Sequence, residues 1–237
     1  MPTALDIVLV PGLWLDASTF DKVSPALEAA GHEVTALTLP GMDAKETDRT
    51  GITVADHIAA VVAALDAADR PVLLVGHSAG CGLAHAAIDA RPETVARVVH
   101  VGGFPGADGE PLLSGLPAEN GEVPMPDWAE MGEDANIVDF EADQLKALYA
   151  DAIPVPEHVV TDPVRLTDER RYAVPATMVC PEYTAADLQE WVKAGDLPEV
   201  SKINSVSYVD LPGGHWPQIT QPDALARVLL DAADEVN

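Results

Sequence analysis

The chain has 237 residues, enough for one large α/β domain with room for one insertion. Hydrophobic residues make up 48% and charged residues 22%, a mixture that builds a sizeable core and excludes wholesale disorder. With 39 Asp and Glu against 13 Lys and Arg, the formal net charge of -26 repels phosphate backbones and anionic lipid, so nucleic acid and membrane partners are not expected and a small-molecule ligand should be neutral.

The N-terminus, Met1-Pro2-Thr3-Ala4-Leu5-Asp6, carries no basic region and no apolar stretch of signal length. No run approaches the roughly 20 apolar residues of a membrane span, and a cytoplasmic location is expected. Ile7 to Val10 reads as a strand ending at Pro11-Gly12, and Phe20 to Ala30 as a helix stopped by Gly31. Glu33 to Leu37 is a second strand. Thr53 to Ala68 is a helix, with apolar Val54, Ile58, Val61, Val62 and Leu65 at helical spacing. Val72 to Val75 is uninterruptedly apolar, which suits a strand buried on both faces. A helix follows from Ala79 to about Ala90, then a strand from Arg97 to Val101.

After Val101 the rhythm breaks into prolines, glycines and amphipathic pieces, among which Asp143 to Ala150 and Pro163 to Tyr172 look helical. A helical cap is placed here, over about residues 103–174. The rhythm resumes with a strand at Ala176 to Cys180, a helix at Ala185 to Ala194, a last strand at Ser205 to Leu211 and a closing helix at Asp223 to Ala233. Strand and helix in alternation imply right-handed crossovers and a mostly parallel sheet with helices on both faces. Cys81 and Cys180 both lie in apolar segments outside any zinc or redox pairing, so two buried thiols are expected. Neither a metal nor a cofactor is implied, and the oligomeric state is left open.

The most informative stretch is Val72-Leu73-Leu74-Val75-Gly76-His77-Ser78-Ala79-Gly80: a buried strand, then Gly-x-Ser-x-Gly, then a helix. A nucleophilic serine needs a sharp, strained turn that lifts its oxygen above the sheet, and glycines on either side allow strand and helix to pack closely. The Ala79 amide lies at a helix start, where unpaired donors and the helix dipole favour an anion. Gly76, Gly80 and Gly82 do not form a Gly-x-Gly-x-x-Gly run, and no Walker lysine follows, so a nucleotide loop is disfavoured.

Near the C-terminus, Leu211-Pro212-Gly213-Gly214-His215-Trp216-Pro217 places His215 in a glycine-rich loop between the last strand and the last helix. From there it can reach Ser78 as general base. His32, His57, His77, His85, His100 and His158 sit where structural roles are expected. At the end of the first strand, Gly12 lets the chain turn so that the Leu13 amide can act as a second oxyanion donor beside Ala79. Trp14 and, in the cap, Trp128 are candidates for the substrate wall, as is Trp216 beside the histidine.

These segments resemble the α/β-hydrolase superfamily, in its branch of small serine esterases and hydroxynitrile-lyase-like proteins. The residues carrying the resemblance are Val10-Pro11-Gly12, Gly76-His77-Ser78-Ala79-Gly80, Phe104-Pro105 with Asp108-Gly109-Glu110, and Gly214-His215-Trp216-Pro217. It implies a Ser-His-acid triad and an insertion after the strand at 97–101. The chain departs from relatives in having Pro11-Gly12 where many carry His-Gly. It also has Pro181-Glu182-Tyr183-Thr184 where relatives carry Gly-x-x-Asp, so Thr184 stands in the usual acid position. Glu182 is the preferred triad acid and Asp108 the alternative. The other known acid position, after the strand at 97–101, holds Gly102-Gly103.

The implied activity is hydrolysis of a small or medium neutral carboxylic ester, thioester or lactone through an acyl-enzyme. Two alternatives stand beside it. One is a non-catalytic ligand-binding receptor on a hydrolase fold, motivated by the unusual acid. The other is a hydroxynitrile-type lyase, disfavoured because residues 181–190 contain no lysine.

Overall fold

Strand alternation and helical spacing resolve, in a computed structural model describing residues 4–236, into a six-stranded parallel sheet. Met1 to Thr3 of the N-terminal reading, and Asn237, lie outside the described residues. In chain order the sheet strands and their helices begin with β1 (Asp6–Val10), α1 (Ser24–Ala29), β2 (Glu33–Ala36), α2 (Val54–Asp66), β3 (Val72–His77), α3 (Gly80–Ala90) and β4 (Val95–Val101). An insertion follows, with β5 (Glu122–Val123), α4 (Ala142–Asp151), β6 (Val155–Pro156) and α5 (Glu157–Thr161). The chain then returns through β7 (Ala176–Cys180), α6 (Ala185–Ala194), β8 (Val206–Asp210), α7 (Pro217–Thr220) and α8 (Pro222–Asp234).

Strand order is β2-β1-β3-β4-β7-β8, which places β3 and its C-terminal turn near the middle of the sheet. Because side chains alternate along a strand, β3 feeds two cores. Val72 and Leu74 pack with Val61 and Leu65 of α2 and Leu83 of α3. Leu73 and Val75 pack on the opposite face with Leu27 of α1 and Leu225 and Leu229 of α8. The expected fold class is therefore present, with helices on both faces of the sheet. Among the described residues no helix is long and apolar enough to cross a membrane. Cys81 and Cys180 are free and buried, and burial pushes both thiols up, Cys180 to about 12.

Three local expectations change. The helix expected from Phe20 begins only at Ser24, because Pro25 lacks an N–H and clashes with a preceding helical turn. A 3₁₀ turn, Ala17–Phe20, comes before it, with the Asp16 carboxylate accepting from the Ser18 amide at 2.9 Å. The helix expected over Pro163 to Tyr172 is absent apart from a 3₁₀ turn at Glu169–Ala173. There Val164 and Leu166 are buried and Arg165 exposed, an extended period of two. The backbone pairs with the loop at 108–110 instead: the Val164 amide donates to the Glu110 carbonyl at 2.9 Å, and the Gly109 amide to the Val164 carbonyl at 2.8 Å. Finally, the cap is only partly helical, since β5 and β6 form a two-stranded antiparallel ribbon.

Candidate active site

The turn after β3 is as tight as the glycine spacing implied. A Cβ on Gly76 would lie 2.6 Å from the Gly80 carbonyl oxygen, and one on Gly80 2.6 Å from that of Pro11. Strand, helix and the end of β1 therefore touch through backbone alone. Ser78 between them has φ of 55°, a left-handed conformation that is costly for a side chain. Its amide donates to the Val101 carbonyl at 2.9 Å, locking the turn against β4.

His215 meets Ser78 there. The Ser78 hydroxyl donates to His215 Nε2 at 2.8 Å, and His215 Nδ1–H donates to the Glu182 carboxylate. The hydroxyl, imidazole and carboxylate form one unbroken chain at the C-terminal edge of the sheet, with the His215 and Glu182 side chains only 18% and 13% exposed. Such a chain fixes the imidazole tautomer with a lone pair facing the hydroxyl, the arrangement that makes a serine oxygen nucleophilic.

Glu182 can occupy this place because its neighbours leave it free. Thr184, in the position where relatives carry Asp, is consumed as the cap of α6: its hydroxyl accepts from the Asp187 amide at 3.1 Å. A side chain on Gly103 would lie 2.7 Å from the Ser78 carbonyl oxygen, and one on Gly102 3.6 Å from Glu182 Oε2. An acid at position 103 would thus collide with the turn, and one at position 102 would need a left-handed backbone, φ 60°. Asp108, the alternative acid, is not brought to His215. It is exposed in the cap, where its carboxylate accepts from the Leu166 amide at 2.9 Å.

Two further side chains, not assigned to the site from sequence, hold the histidine loop. His77 Nε2–H donates to the His215 carbonyl at 2.8 Å, and the Gln218 amide donates to His77 Nδ1 at 3.2 Å. Burial, reinforced by the charge of His215, lowers the His77 pKa from 6.5 to about 3, so the ring is neutral and its tautomer fixed. From the cap, the Asn136 carbonyl accepts the His215 amide at 2.8 Å. Gly213 and Gly214 are required by this clamp: a Cβ on Gly214 would lie 2.4 Å from Asp139 Oδ1 and 2.5 Å from the Asn136 oxygen. The paired glycines before His215 were the sequence signal for this close approach; nothing in the sequence pointed to Asn136, Asp139 or Gln218.

The chain from Ser78 to Glu182 opens on a cavity of about 630 Å³, to which Leu13, Trp14, Ala79 and Trp128 all contribute. Trp14 is both wall and core. It is 4% exposed, adopts φ of 65°, and its indole N–H donates to the Val123 carbonyl of the cap ribbon at 3.0 Å. Trp128 stacks edge-on against it with ring centroids 5.7 Å apart. Trp216, expected at the substrate, instead packs behind the site at 1% exposure, with its ring 4.8 Å from that of His215 and 5.8 Å from that of Phe140.

Comparison with known proteins identifies the family and the fold. The sequence profile of the Alpha/beta hydrolase family matches residues 7–228. Methylesterase 7 of Arabidopsis thaliana is 38% identical over 101 residues, 41% of this chain and 39% of that protein. Methylesterase 8 of the same plant is 36% identical over 100 residues, 41% and 37% of the two chains. Each match thus spans about two fifths of the relative's length. Among solved structures, an extracellular alpha/beta-hydrolase from a Paenibacillus species superposes with a TM-score of 0.77 at 20% identity, over 96% of this chain and 98% of that one. A pyrethroid hydrolase from Sphingobium faniae JZ-2 gives 0.73 at 21% identity, over 98% of both chains. Tomato methylketone synthase I with 2-tridecanone gives 0.75 at 17% identity, over 99% of this chain and 100% of that one. At these identities the structural matches show a shared fold.

Proposed function

The chain belongs to the Alpha/beta hydrolase family, and on that premise we propose that it is a serine esterase for small or medium neutral carboxylic esters, lactones included. The observation that carries this reading is the unbroken hydrogen-bonded chain Ser78–His215–Glu182 facing an apolar-walled cavity. The local similarity to two methylesterases supports the ester class. The net charge of -26 favours a neutral substrate over an anionic one.

In the proposed mechanism Ser78 Oγ attacks the ester carbonyl while His215 Nε2 takes its proton. Glu182 holds the imidazole in the required tautomer and stabilises the imidazolium that forms. The amides of Leu13 and Ala79 stabilise the oxyanion, Ala79 from the start of α3, where the dipole adds to the hydrogen bond. His215 then protonates the departing alcohol. A water activated by His215 cleaves the acyl-enzyme and regenerates Ser78. No step requires a metal or a cofactor. The receptor alternative drew on the lack of an Asp in the usual position, and the Glu182–His215 hydrogen bond supports the esterase reading over it.

The test is turnover of a panel of p-nitrophenyl esters by wild type and Ser78→Ala, with mass spectrometry after exposure to a reactive organophosphate. Turnover by wild type, its loss in Ser78→Ala and a single adduct on Ser78 support the esterase. Absence of both turnover and adduct in wild type would refute it and move the receptor reading to the front.

A further inference from the structure

The cavity has a second polar pole, remote from the reacting atoms. α3 offers it Ala79, Gly82 and His85, three residues at helical spacing that share one face. Gly82 lets the cap close down on this face: a Cβ there would lie 2.6 Å from Leu112 Cδ2. Leu112, Val164 and Leu166 give this part of the cavity apolar walls. His85 lies six residues beyond Ala79, on the order of 9 Å along the helix.

The His85 ring is held by one buried carboxylate, Glu199, on which several other polar groups converge. Its Nε2–H donates to Glu199 Oε2 at 3.1 Å. Glu199, 1% exposed, also accepts from Arg171 Nε at 3.1 Å and Nη2 at 2.9 Å, Tyr172 Oη at 3.0 Å and Lys202 Nζ at 3.1 Å. Arg171 Nη1 reaches Asp89 at 3.1 Å. Burial would raise the Glu199 pKa, but the hydrogen bonds from His85, Arg171, Lys202 and Tyr172 outweigh it and hold the carboxyl far below its usual range. Glu199 is therefore ionised and can only accept. His85 must donate through Nε2, and in the tautomer that carries its proton there Nδ1 is an acceptor. An apolar residue would complete the cavity wall without a buried carboxylate and guanidinium behind it.

The site also sorts the two halves of an ester. The leaving alcohol must face His215 Nε2, which protonates it, so the acyl half takes the arm along α3. We propose that His85 is a specificity-determining residue that accepts a hydrogen bond from a hydroxyl at the far end of the acyl chain, making ω-hydroxylated, medium-length acyl esters the preferred substrate class. This inference rests on the esterase reading above. It adds what that reading leaves open, the chemistry of the acyl group.

The experiment compares p-nitrophenyl esters of hexanoate and octanoate with their ω-hydroxy counterparts. In an apolar arm without a partner, the hydroxyl loses its hydration and the plain ester wins. With His85 as partner, wild type should favour one hydroxylated ester by about tenfold in kcat/KM. His85→Leu should bring that ratio to one or below, while His85→Gln, which keeps an acceptor, should restore part of it; near-ultraviolet circular dichroism checks that both variants fold. A wild-type ratio at or below one at both chain lengths overturns the proposal without touching the esterase reading, and needs no variant. An unchanged ratio in folded His85→Leu overturns it as well. If wild type cleaves no ester and Ser78 takes no organophosphate label, the esterase reading has failed and this proposal falls with it.

Discussion

Replacing Glu182 by Gln removes a negative charge from His215 while leaving the side chain almost the same size. Hydrogen-bonded imidazolium and carboxylate charges lie roughly 4 Å apart, and at the effective dielectric of about 20 that suits partly buried pairs their attraction is on the order of 4 kcal/mol. The attraction exists only once His215 has taken the Ser78 proton, so its loss falls on the transition state and not on substrate binding. Glu182→Gln should therefore lower kcat by about a thousandfold with KM little changed. The loss grows further if the new amide donates to Nδ1, since that forces the proton onto Nε2 and removes the acceptor for the Ser78 hydroxyl. Asp108→Asn, which alters only an exposed cap turn, should leave kcat/KM within about twofold. Steady-state kinetics with one chromogenic ester measures all three proteins. A Glu182→Gln enzyme within tenfold of wild type, or an Asp108→Asn enzyme that collapses, would refute the assignment of the acid.

Two further outcomes follow from buried histidines. His77→Phe keeps a ring in the turn but removes the donor to the His215 carbonyl; loss of one such positioning bond should lower kcat about tenfold, with little change in KM, and unchanged kcat would show that the loop holds without it. His100, fully buried on β4 with neither ring nitrogen hydrogen-bonded, has its pKa lowered from 6.5 to about 3 by burial and then by His85. Unfolding takes up a proton on this ring below pH 6.5, so its contribution to stability is full above that pH and is lost as pH falls towards 3. Between pH 7 and pH 5 the wild type should lose about 2 kcal/mol more than His100→Leu in urea unfolding; parallel losses would mean that the ring is protonated, or hydrated, in the folded protein.

Much of this protein is decided locally and is legible in its sequence. The four consecutive apolar residues Val72 to Val75 can be satisfied only by burial on both faces of a sheet. Gly76 and Gly80 frame a turn that no larger residue permits. The alternation of such strands with amphipathic helices leaves a parallel sheet as the economical solution. Ser78 and His215 were identifiable because their neighbours carry the constraint with them: glycines on both sides of the serine, and two glycines before the histidine.

Tertiary structure decided what no neighbour encodes. Glu182 and Asp108 are both acids in loops beyond strands. What separates them is that Glu182 is brought to His215 Nδ1, whereas Asp108 is captured by the Leu166 amide. Trp14, Trp128 and Trp216 are alike in composition, yet two face the cavity and one packs behind it. Pro163 to Tyr172 is expected as a helix, but its first part, around Val164, lies extended because the loop at 108–110 offers it backbone partners across more than fifty residues of chain. Local sequence determines which conformations a segment can adopt; which hydrogen bonds and contacts it then makes depends on segments distant in the chain, and only folding brings those together.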